Sequence, residues 1–320
     1  MATASPLVAV VAFLVGVGLI VYSAEELVES ITKAAVVTGL STFVLAIFFA
    51  GLDLENWAFG VASILSDLPG VAIGSALGSG LFLVGVAVAV GGFLTPFEPT
   101  IDRDYLFLLL VSPLVLLAFI VDGNVSRLDG ITLLVIFGLI LGYIYREEHR
   151  GRETFRDEEA EEALEDVDTD GRGSLYYLGL SALFVVGIVV GSELAVRGAR
   201  GIVTAFGLNQ TVFGMTVVGA AMSLEEVTLV VAPIREGRPS IAVGNIVGSL
   251  IFFATGNVGL LAVTRGFALE PSVLTFYWPA FFVSTVAIGL FLRRGRIKRL
   301  EAVILALLYA GYWIGSYLVL

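Results

Sequence analysis

The sequence contains no cysteine and a single histidine, His149, among its 320 residues. Disulfide bonds are therefore excluded, and so are metal sites built from thiolate or imidazole ligands. Any metal site must use oxygen ligands, which suit hard cations such as Ca²⁺, Mg²⁺ or Na⁺. The zinc-binding pattern His-Glu-x-x-His and the pattern Gly-x-Gly-Asp are also missing, so we expect neither an enzyme nor a cofactor.

Charged residues are scarce as well. They make up 15% of the chain, against about 25% in an average soluble domain. Hydrophobic residues make up 58%, and the mean hydropathy is +0.96. Apolar stretches of about 20 residues predict membrane-spanning helices. The predicted spans are 6–22, 36–62, 69–94, 104–121, 128–146, 175–197, 208–234, 239–263, 272–292 and 300–319. The fold class is therefore an all-α membrane protein with ten transmembrane helices.

Much of the net charge of −11 comes from one acidic segment between the fifth and sixth predicted spans. Glu and Asp recur through residues 147–170, a composition typical of a solvated loop. A regulatory cation-binding loop is the alternative interpretation. The segment divides the chain into a first repeat, 1–146, an acidic loop, 147–174, and a second repeat, 175–320.

The distribution of basic residues predicts the orientation in the membrane. Lys and Arg total 18, and alternate loops hold 14 and 4 of them when the ten predicted spans are followed along the sequence. Basic residues are retained on the cytoplasmic side. We therefore expect a multi-pass protein of the cell membrane, with both termini extracytoplasmic and the acidic loop cytoplasmic.

An internal repeat relates the two halves. Residues 51–82 match residues 221–252 at a constant offset of 170 without a gap. The match aligns a proline, two glycines and a serine, which apolar composition alone does not readily produce. Each half has five predicted spans, an odd number, so the second copy enters the membrane from the opposite side. Two inverted five-helix repeats are typical of secondary transporters, whose site lies at mid-membrane between the repeats.

Four acidic residues fall within the predicted spans of the repeat. Asp53, Glu55, Glu225 and Glu226 lie near the middle of the bilayer, where a carboxylate costs about 2.5–3.5 kcal/mol. A structural role, with each carboxylate satisfied by neighbouring polar groups, is the alternative. Glu55 and Glu225 are predicted to point away from the main site, facing either a second cavity or each other, and to share a proton.

Helical spacing groups the remaining ligand candidates. Residues three apart share a helix face, which pairs Asp53 with Asn56 and Ser223 with Glu226. Ser79 and Ser249 each end a Gly-x-x-x-Gly-Ser run, and both are expected to lie opposite the acidic motifs. The glycines of these runs are expected to permit close helix packing. The predicted cation ligands are Asp53, Asn56, Ser79, Ser223, Glu226 and Ser249, with Glu55 and Glu225 nearby.

The segment MSLEEVTLVVAPIREGRPSIAVGNIVGS resembles the second repeat of sodium/calcium exchangers of the archaeal and bacterial type, in the calcium/cation antiporter superfamily. The family motif runs Gly-Thr-Ser-Leu-Pro-Glu and later Gly-Asn-x-x-Gly-Ser. The resemblance implies coordinating roles for Ser223, Glu226 and Ser249 and, through the repeat offset, for Asp53, Asn56 and Ser79. It also implies a five-plus-five helix layout.

Six of the departures from the family pattern affect its ligands or its proline. Two of the changes together move the carboxylate of the first copy by one helical turn. Two others replace the proline of the motif by glutamate, and the last two each remove one oxygen ligand. The positions are Asn56 in place of Glu, Asp53 in place of Ser, Glu55 and Glu225 in place of Pro, and Leu83 and Phe253 in place of Asn or Asp.

The function expected from the repeat and the resemblance is exchange of a divalent cation, with Ca²⁺ favoured, for Na⁺ or H⁺ by alternating access. A Na⁺/H⁺ exchanger, a Mg²⁺ exchanger and a cation channel are the alternatives. The expected partners are the transported inorganic cations and the lipid bilayer, without nucleic acid. The sequence leaves the oligomeric state open.

Overall fold

A computed structural model of the chain describes residues 5–38, 53–148 and 172–318. Within these ranges the protein is helical apart from its connecting loops and one short two-stranded ladder. Nine helical segments of the described ranges are long and apolar enough to cross a membrane. The chain is a multi-pass membrane protein, as its composition predicts.

The elements are numbered here in chain order. The helices are α1 Pro6–Thr38, α2 Leu54–Leu65, α3 Pro69–Phe82, α4 Val88–Leu94, α5 Arg103–Ile120, α6 Arg127–Glu148, α7 Ser174–Phe206, α8 Gln210–Phe213, α9 Gly219–Ala221, α10 Glu226–Arg235, α11 Pro239–Phe252, α12 Val258–Thr264, α13 Trp278–Arg293 and α14 Arg299–Leu318. The strands are β1 Asn124–Val125 and β2 Phe267–Ala268, which pair antiparallel. Four π-helical segments are Leu83–Ala87, Gly214–Val218, Phe253–Asn257 and Val273–Tyr277.

Some predicted span boundaries are wrong. The first span was expected to end at residue 22, but α1 continues to Thr38 and includes the start of the predicted second span. Likewise α7 continues to Phe206, beyond the predicted end at 197. Hydropathy ends a span where charged residues begin, whereas packing against another helix stabilises the helix beyond that point. Residues 39–52 lie outside the described ranges, so the count of ten spans stays a prediction, and most of the acidic loop, with His149, lies outside them too.

Helices α1 and α7 pack against each other along their length. Each has 33 residues, or about 50 Å at 1.5 Å per residue, which exceeds the hydrocarbon thickness of about 30 Å. Glycine permits the close approach, because a Cβ atom at Gly198 would lie 2.3 Å from the Phe13 nitrogen and one at Gly16 would lie 2.3 Å from the Ala195 nitrogen. These contacts fix α1 beside the second half of the chain.

The helix bounds of the two halves recur at the offset found in the sequence. Helix α3, its π-helical segment and α4 span 69–94, and the corresponding elements of the second half span 239–264 with every boundary shifted by 170 residues. Asp67 and Gly237, also 170 apart, both have positive φ, at 57° and 78°. These coincidences support the predicted repeat.

The segments that carry the repeated Gly-x-x-x-Gly-Ser runs are the most buried of the nine. In the most apolar 18-residue stretch of Pro69–Leu94, 78% is buried, and in that of Pro239–Thr264, 83% is buried. The corresponding share in the other segments is at most 44%. Surrounding helices therefore shield these two segments from lipid. Any polar site on them lies inside the protein.

Loops that were predicted on the same side of the membrane meet in the structure. On one side, Arg265 forms an ion pair with Asp67 at 2.6 Å and the two strands pair. On the other side, Phe97 forms a backbone bridge with Ile297. This arrangement agrees with the alternation of the predicted spans, while the side that faces the cytoplasm stays a prediction.

Candidate cation site

Asp53 precedes α2 and caps its first turn. Its carboxylate accepts a hydrogen bond of 2.7 Å from the backbone N–H of Asn56 and one of 2.6 Å from the Asn56 side-chain amide. An aspartate in this position satisfies one of the N–H groups that a helix start leaves unpaired. The predicted pairing of these two residues on one helix face is present. A carboxylate offers about four lone-pair sites, so Asp53 retains acceptor capacity for a cation.

Asn56 is fully buried and connects three parts of the chain. Its carbonyl oxygen accepts a 3.1 Å hydrogen bond from the hydroxyl of Ser79 on α3, and its nitrogen lies 3.5 Å from the Met222 carbonyl oxygen. The Ser79 hydroxyl also lies 3.4 Å from the Gly219 carbonyl oxygen. Ser79 thus joins the first half to the second at the acidic motif.

Glycine makes this junction possible. A Cβ atom at Gly78 would lie 2.3 Å from the Met215 carbonyl oxygen, and one at Gly219 would lie 2.6 Å from the Gly78 carbonyl carbon. The backbones of α3 and of the segment before α10 are therefore in direct contact. This is the close packing expected of the Gly-x-x-x-Gly run, and it brings the Ser79 hydroxyl close to the Gly219 carbonyl oxygen.

The second copy of the motif interrupts its helix. α9 ends at Ala221, and α10 begins at Glu226 after four residues that form turns. The family proline is absent here, so the interruption comes from tertiary contacts rather than from a missing N–H group. Ser223 lies in the interruption and is fully buried, and its hydroxyl has no hydrogen-bond partner among the described residues. A buried hydroxyl without a partner is uncommon and indicates a position where a ligand or water belongs.

Glu226 is buried, with 3% of its surface exposed, and it accepts a 2.6 Å hydrogen bond from the Asn245 side-chain amide of α11. Asn245 is not among the ligands predicted from the sequence, which include Ser249 on the same helix. Ser249 lies one turn farther along α11 and is half-buried. The signal that could have identified Asn245 is the repeat itself, because the same offset places Ser75, another oxygen-bearing residue, in the first copy.

Three carboxylates from the two motifs converge. One carboxylate oxygen from each of Asp53, Glu55 and Glu225 lies within 4.8 Å of the other two. Glu55 is buried, and the other two are partly buried. Glu55 and Glu225 face each other, one of the two possibilities that the sequence left open, but they do so beside Asp53 rather than apart from it. Three carboxylates at this separation repel one another, and a bound cation or proton offsets that repulsion.

A sequence profile described as sodium/calcium exchanger protein matches residues 8–146 and 176–318, which is most of the chain. The chain belongs to this family. The resemblance found in the sequence is thereby confirmed, and the family, within the Ca²⁺/cation antiporter superfamily, consists of transporters rather than enzymes.

Individual relatives align with this chain over most of its length and over most of their own. Inner membrane protein YrbG of Escherichia coli (strain K12) is 28% identical over 269 residues, which cover 83% of this chain and 82% of the relative. Sodium/calcium exchanger MaX1 of Methanosarcina acetivorans is 23% identical over 337 residues, which cover 93% and 95%. The crystal structure of the H⁺/Ca²⁺ exchanger CAX matches with a TM-score of 0.73 and 16% identity, covering 97% of this chain and 86% of that chain. At that identity the structural likeness shows the fold alone.

The resemblance implies an oxygen ligand at two positions where this chain has apolar residues. Leu83 and Phe253 occupy those positions, and each is fully buried at the start of a π-helical segment. Four residues after Phe253, Asn257 is 1% exposed, and within the part of the chain that the structure describes neither polar atom of its side chain has a hydrogen-bond partner. Its side-chain oxygen lies 3.8 Å from the position of a Cβ on Gly60, one turn beyond Asn56. Asn257 is not among the ligands predicted from the sequence, because the repeat offset places Ala87, which has no side-chain oxygen, at the corresponding position.

Proposed function

We propose that this member of the exchanger family exchanges Ca²⁺ for Na⁺ or H⁺ by alternating access. Asp53, Glu55 and Glu225, whose carboxylate oxygens lie within 4.8 Å of one another, carry the proposal. They lie at the junction of an interrupted helix and a helix start, inside a membrane protein. Side-chain oxygens are the ligands that Ca²⁺ prefers, and Ca²⁺ takes six to eight of them.

The proposed ligands form two neighbouring groups. Asp53, Glu55 and Glu225 supply negative charge, while Asn56 and Ser79 supply neutral oxygens beside Asp53. Glu226, held by Asn245, and Ser223 with its unpartnered hydroxyl complete the second motif, and Ser249 lies one turn beyond Asn245. A cation that enters this site exchanges its hydration shell for these oxygens.

Exchange follows from charge balance. An empty site with several carboxylates is expensive to move through a low-dielectric membrane interior. Binding of one divalent cation, or of two monovalent cations, offsets two of these negative charges, those of Asp53 and Glu226, and so favours the change of access. Because both substrates compete for the same carboxylates, movement of one in either direction requires return of the other.

The donor set favours H⁺ as a counter-ion. A carboxylate binds a proton readily, whereas a serine hydroxyl or an asparagine amide does not. This chain has two glutamates, Glu55 and Glu225, at positions where the family motif has proline. The alternative of Na⁺/H⁺ exchange is favoured by Leu83 and Phe253, which remove two of the oxygen ligands that the resemblance to Ca²⁺ exchangers implies.

We further propose the architecture of two inverted five-helix repeats, 1–146 and 175–320, with a cytoplasmic loop at 147–174. Both termini are then extracytoplasmic. The equal helix bounds at an offset of 170 residues support the repeat, and the excess of Lys and Arg in alternate loops supports the orientation.

Uptake of ⁴⁵Ca²⁺ into proteoliposomes tests the function. Purified protein is reconstituted, and uptake is measured under an outward Na⁺ gradient, an outward H⁺ gradient, and no gradient. We expect uptake that depends on one of the gradients and is absent from liposomes carrying Glu226→Gln. Ca²⁺ uptake that does not depend on either gradient would indicate a channel. Na⁺ flux driven by the H⁺ gradient, without Ca²⁺ uptake, would indicate Na⁺/H⁺ exchange.

A further inference from the structure

Helix α14 places a tyrosine hydroxyl in the core of the protein. Tyr312 is 4% exposed, and its hydroxyl donates a hydrogen bond to the backbone carbonyl oxygen of Met215, 97 residues earlier in the chain. Met215 belongs to the π-helical segment Gly214–Val218, which precedes α9 and the interruption at the second motif. Tyr312 lies outside the repeated motifs, so only the folded structure connects it with the candidate site.

Met215 is the first of three residues in this stretch whose carbonyl oxygens face side-chain donors from other helices. The Gly219 carbonyl oxygen lies 3.4 Å from the hydroxyl of Ser79 on α3. The Met222 carbonyl oxygen lies 3.5 Å from the side-chain nitrogen of Asn56 on α2. Spacings of four and three residues place these carbonyl groups along one face of the stretch. The row thus joins the stretch to three helices, and two of the three donors are predicted cation ligands.

The carbonyl group that Tyr312 binds is also in contact with α3. A Cβ atom at Gly78 would lie 2.3 Å from the Met215 carbonyl oxygen and 3.0 Å from the Met215 Cα. No gap separates the two backbones here, and closely packed interiors transmit strain, so a shift of Met215 is passed along the stretch. Met222 and Ser223 begin the interruption on that stretch. The position of Met215 therefore bears on the position of the second motif.

A second hydroxyl of α14 binds the same π-helical segment. The hydroxyl oxygens of Thr216 and Tyr317 lie 2.8 Å apart. Because the Thr216 hydroxyl donates to the Val212 carbonyl oxygen at 2.6 Å, Tyr317 is the donor to Thr216. Single π-helical turns within helices frequently lie at functional sites. Two adjacent residues of this one are thus fixed to α14 by tyrosine hydroxyls.

Tyr309, three residues before Tyr312, provides a contrast on the same helix. Its hydroxyl accepts a 2.8 Å hydrogen bond from the indole N–H of Trp313, one turn farther along α14. Its ring packs edge-on against Phe82, with ring centroids 6.1 Å apart. Both tyrosine rings pack in the protein, but the hydroxyl of Tyr309 bonds within α14, whereas that of Tyr312 bonds to the stretch that leads to the second motif.

We infer that Tyr312 is a positioning residue for the candidate cation site. Its hydroxyl fixes the Met215 carbonyl group, and this contact sets the position of the second motif against the first. Tyr312 acts through the backbone of Met215 and is not a ligand. The inference rests on the proposed function and adds to it a residue from outside the repeat.

Amide hydrogen exchange of the purified protein in detergent tests the positioning without any cation. Tyr312→Phe removes the hydroxyl and keeps the ring, and Tyr309→Phe does the same at the control position. We expect Tyr312→Phe to speed exchange in residues 214–226 at least about threefold, because the stretch opens locally more often, and to leave exchange in α12 unchanged. Tyr309→Phe should alter neither. Equal exchange of 214–226 in the two variants, or faster exchange of α12 as well in Tyr312→Phe, would overturn the inference.

The dependence of ⁴⁵Ca²⁺ uptake on Ca²⁺ concentration tests the consequence for the site. We expect Tyr312→Phe to raise the half-saturating concentration about fivefold, the size typical for loss of one uncharged hydrogen bond, and to keep maximal uptake per folded protein within about twofold. Tyr309→Phe should change neither quantity. A fall in maximal uptake at an unchanged half-saturating concentration would mean that Tyr312 serves stability alone.

Thr216→Val is a second test, which also decides the matter if Tyr312→Phe does not fold. Valine has nearly the shape of threonine but lacks the hydroxyl that Tyr317 binds, so the variant loosens the same π-helical segment. We expect faster exchange of 214–226 and a half-saturating Ca²⁺ concentration raised about twofold or more. No change in either quantity would overturn the inference.

The two kinds of measurement separate this inference from the proposed function. An unmodified chain that carries no Ca²⁺ would refute the proposed function, while hydrogen exchange would still decide whether Tyr312 positions the second motif. Ca²⁺ uptake by the unmodified chain, with identical exchange and identical half-saturation in Tyr312→Phe and Tyr309→Phe, would refute the positioning role alone.

Discussion

The side-chain amide of Asn245 donates a 2.6 Å hydrogen bond to the carboxylate of Glu226. It connects the start of α10 to α11 and fixes the orientation of a buried carboxylate. We expect Asn245→Ala to weaken Ca²⁺ affinity by about tenfold while maximal flux is retained, because loss of a hydrogen bond to a charged group costs about 1.5–3 kcal/mol. The concentration dependence of ⁴⁵Ca²⁺ uptake measures this. Unchanged affinity would remove Asn245 from the site.

Glu226→Gln is expected to abolish Ca²⁺ exchange in a protein that still folds. Gln preserves the volume and still accepts a hydrogen bond from Asn245, but it lacks the charge that offsets dehydration of the cation. Uptake in proteoliposomes measures the flux, and elution of the detergent-solubilised variant as a single symmetric peak checks the fold. Flux at the level of the unmodified chain would show that Glu226 is not a ligand.

Asp53→Asn is expected to be nearly as damaging as Glu226→Gln. Asparagine is as good a helix N-cap as aspartate, so the start of α2 is preserved. The substitution removes the charge and also one of the two oxygens that accept hydrogen bonds from Asn56. Asn56→Ala should weaken affinity and leave turnover intact. The double variant Asp53→Ser with Asn56→Glu restores the family pattern and should recover more transport than Asp53→Ser alone. Normal transport by Asp53→Asn, with Glu55→Gln inactive, would instead assign the essential carboxylate to Glu55.

Glu55→Gln and Glu225→Gln are expected to reduce H⁺-driven Ca²⁺ uptake more than Na⁺-driven uptake. Both residues supply carboxylates beside Asp53 that can bind a proton, whereas the side-chain amide of glutamine does not bind one near neutral pH. Uptake is compared under the two gradients for each variant. Glu26→Gln, which removes the same charge from a residue of α1 outside the predicted ligands, is the control. A uniform loss under both gradients would mean that these residues bind Ca²⁺ rather than provide proton coupling.

Asn257→Leu is expected to raise thermal stability and to lower transport. The buried side chain has two polar atoms without a partner in the described ranges, and each such group costs about 1–3 kcal/mol. A leucine of similar shape removes that cost. The melting temperature in detergent and the ⁴⁵Ca²⁺ flux are measured together. A rise in stability without any loss of flux would show that Asn257 has no part in transport.

A cysteine in place of Glu159, within the acidic loop, is expected to react only from the cytoplasmic side, as the basic residues of alternate loops indicate. Deletion of part of 153–170 should leave transport largely intact if the segment is a solvated loop without a role in transport. Labelling of sealed, right-side-out cells by an impermeant maleimide would show that the orientation is opposite to the one assigned. Loss of transport on deletion would favour a regulatory loop.

The sequence by itself determined the membrane class, the oxygen-only donor chemistry and the internal repeat. Hydropathy, residue type and a fixed offset are properties of the chain that do not depend on how helices meet. The family motif placed Ser223 and Glu226 in one candidate site, and helical spacing paired Asp53 with Asn56, because these relations act within a single turn.

Only the tertiary structure decided which turn of α11 meets Glu226 and how far α1 extends. Positions 245 and 249 lie on the same helix face, so spacing cannot choose between them. The choice depends on how α10 and α11 pack. The convergence of Glu55 and Glu225 on Asp53 joins residues about 170 positions apart, and it depends on the backbone contact between Gly78 and Met215. Local patterns do not specify such contacts, because the energy that fixes them comes from packing between distant segments.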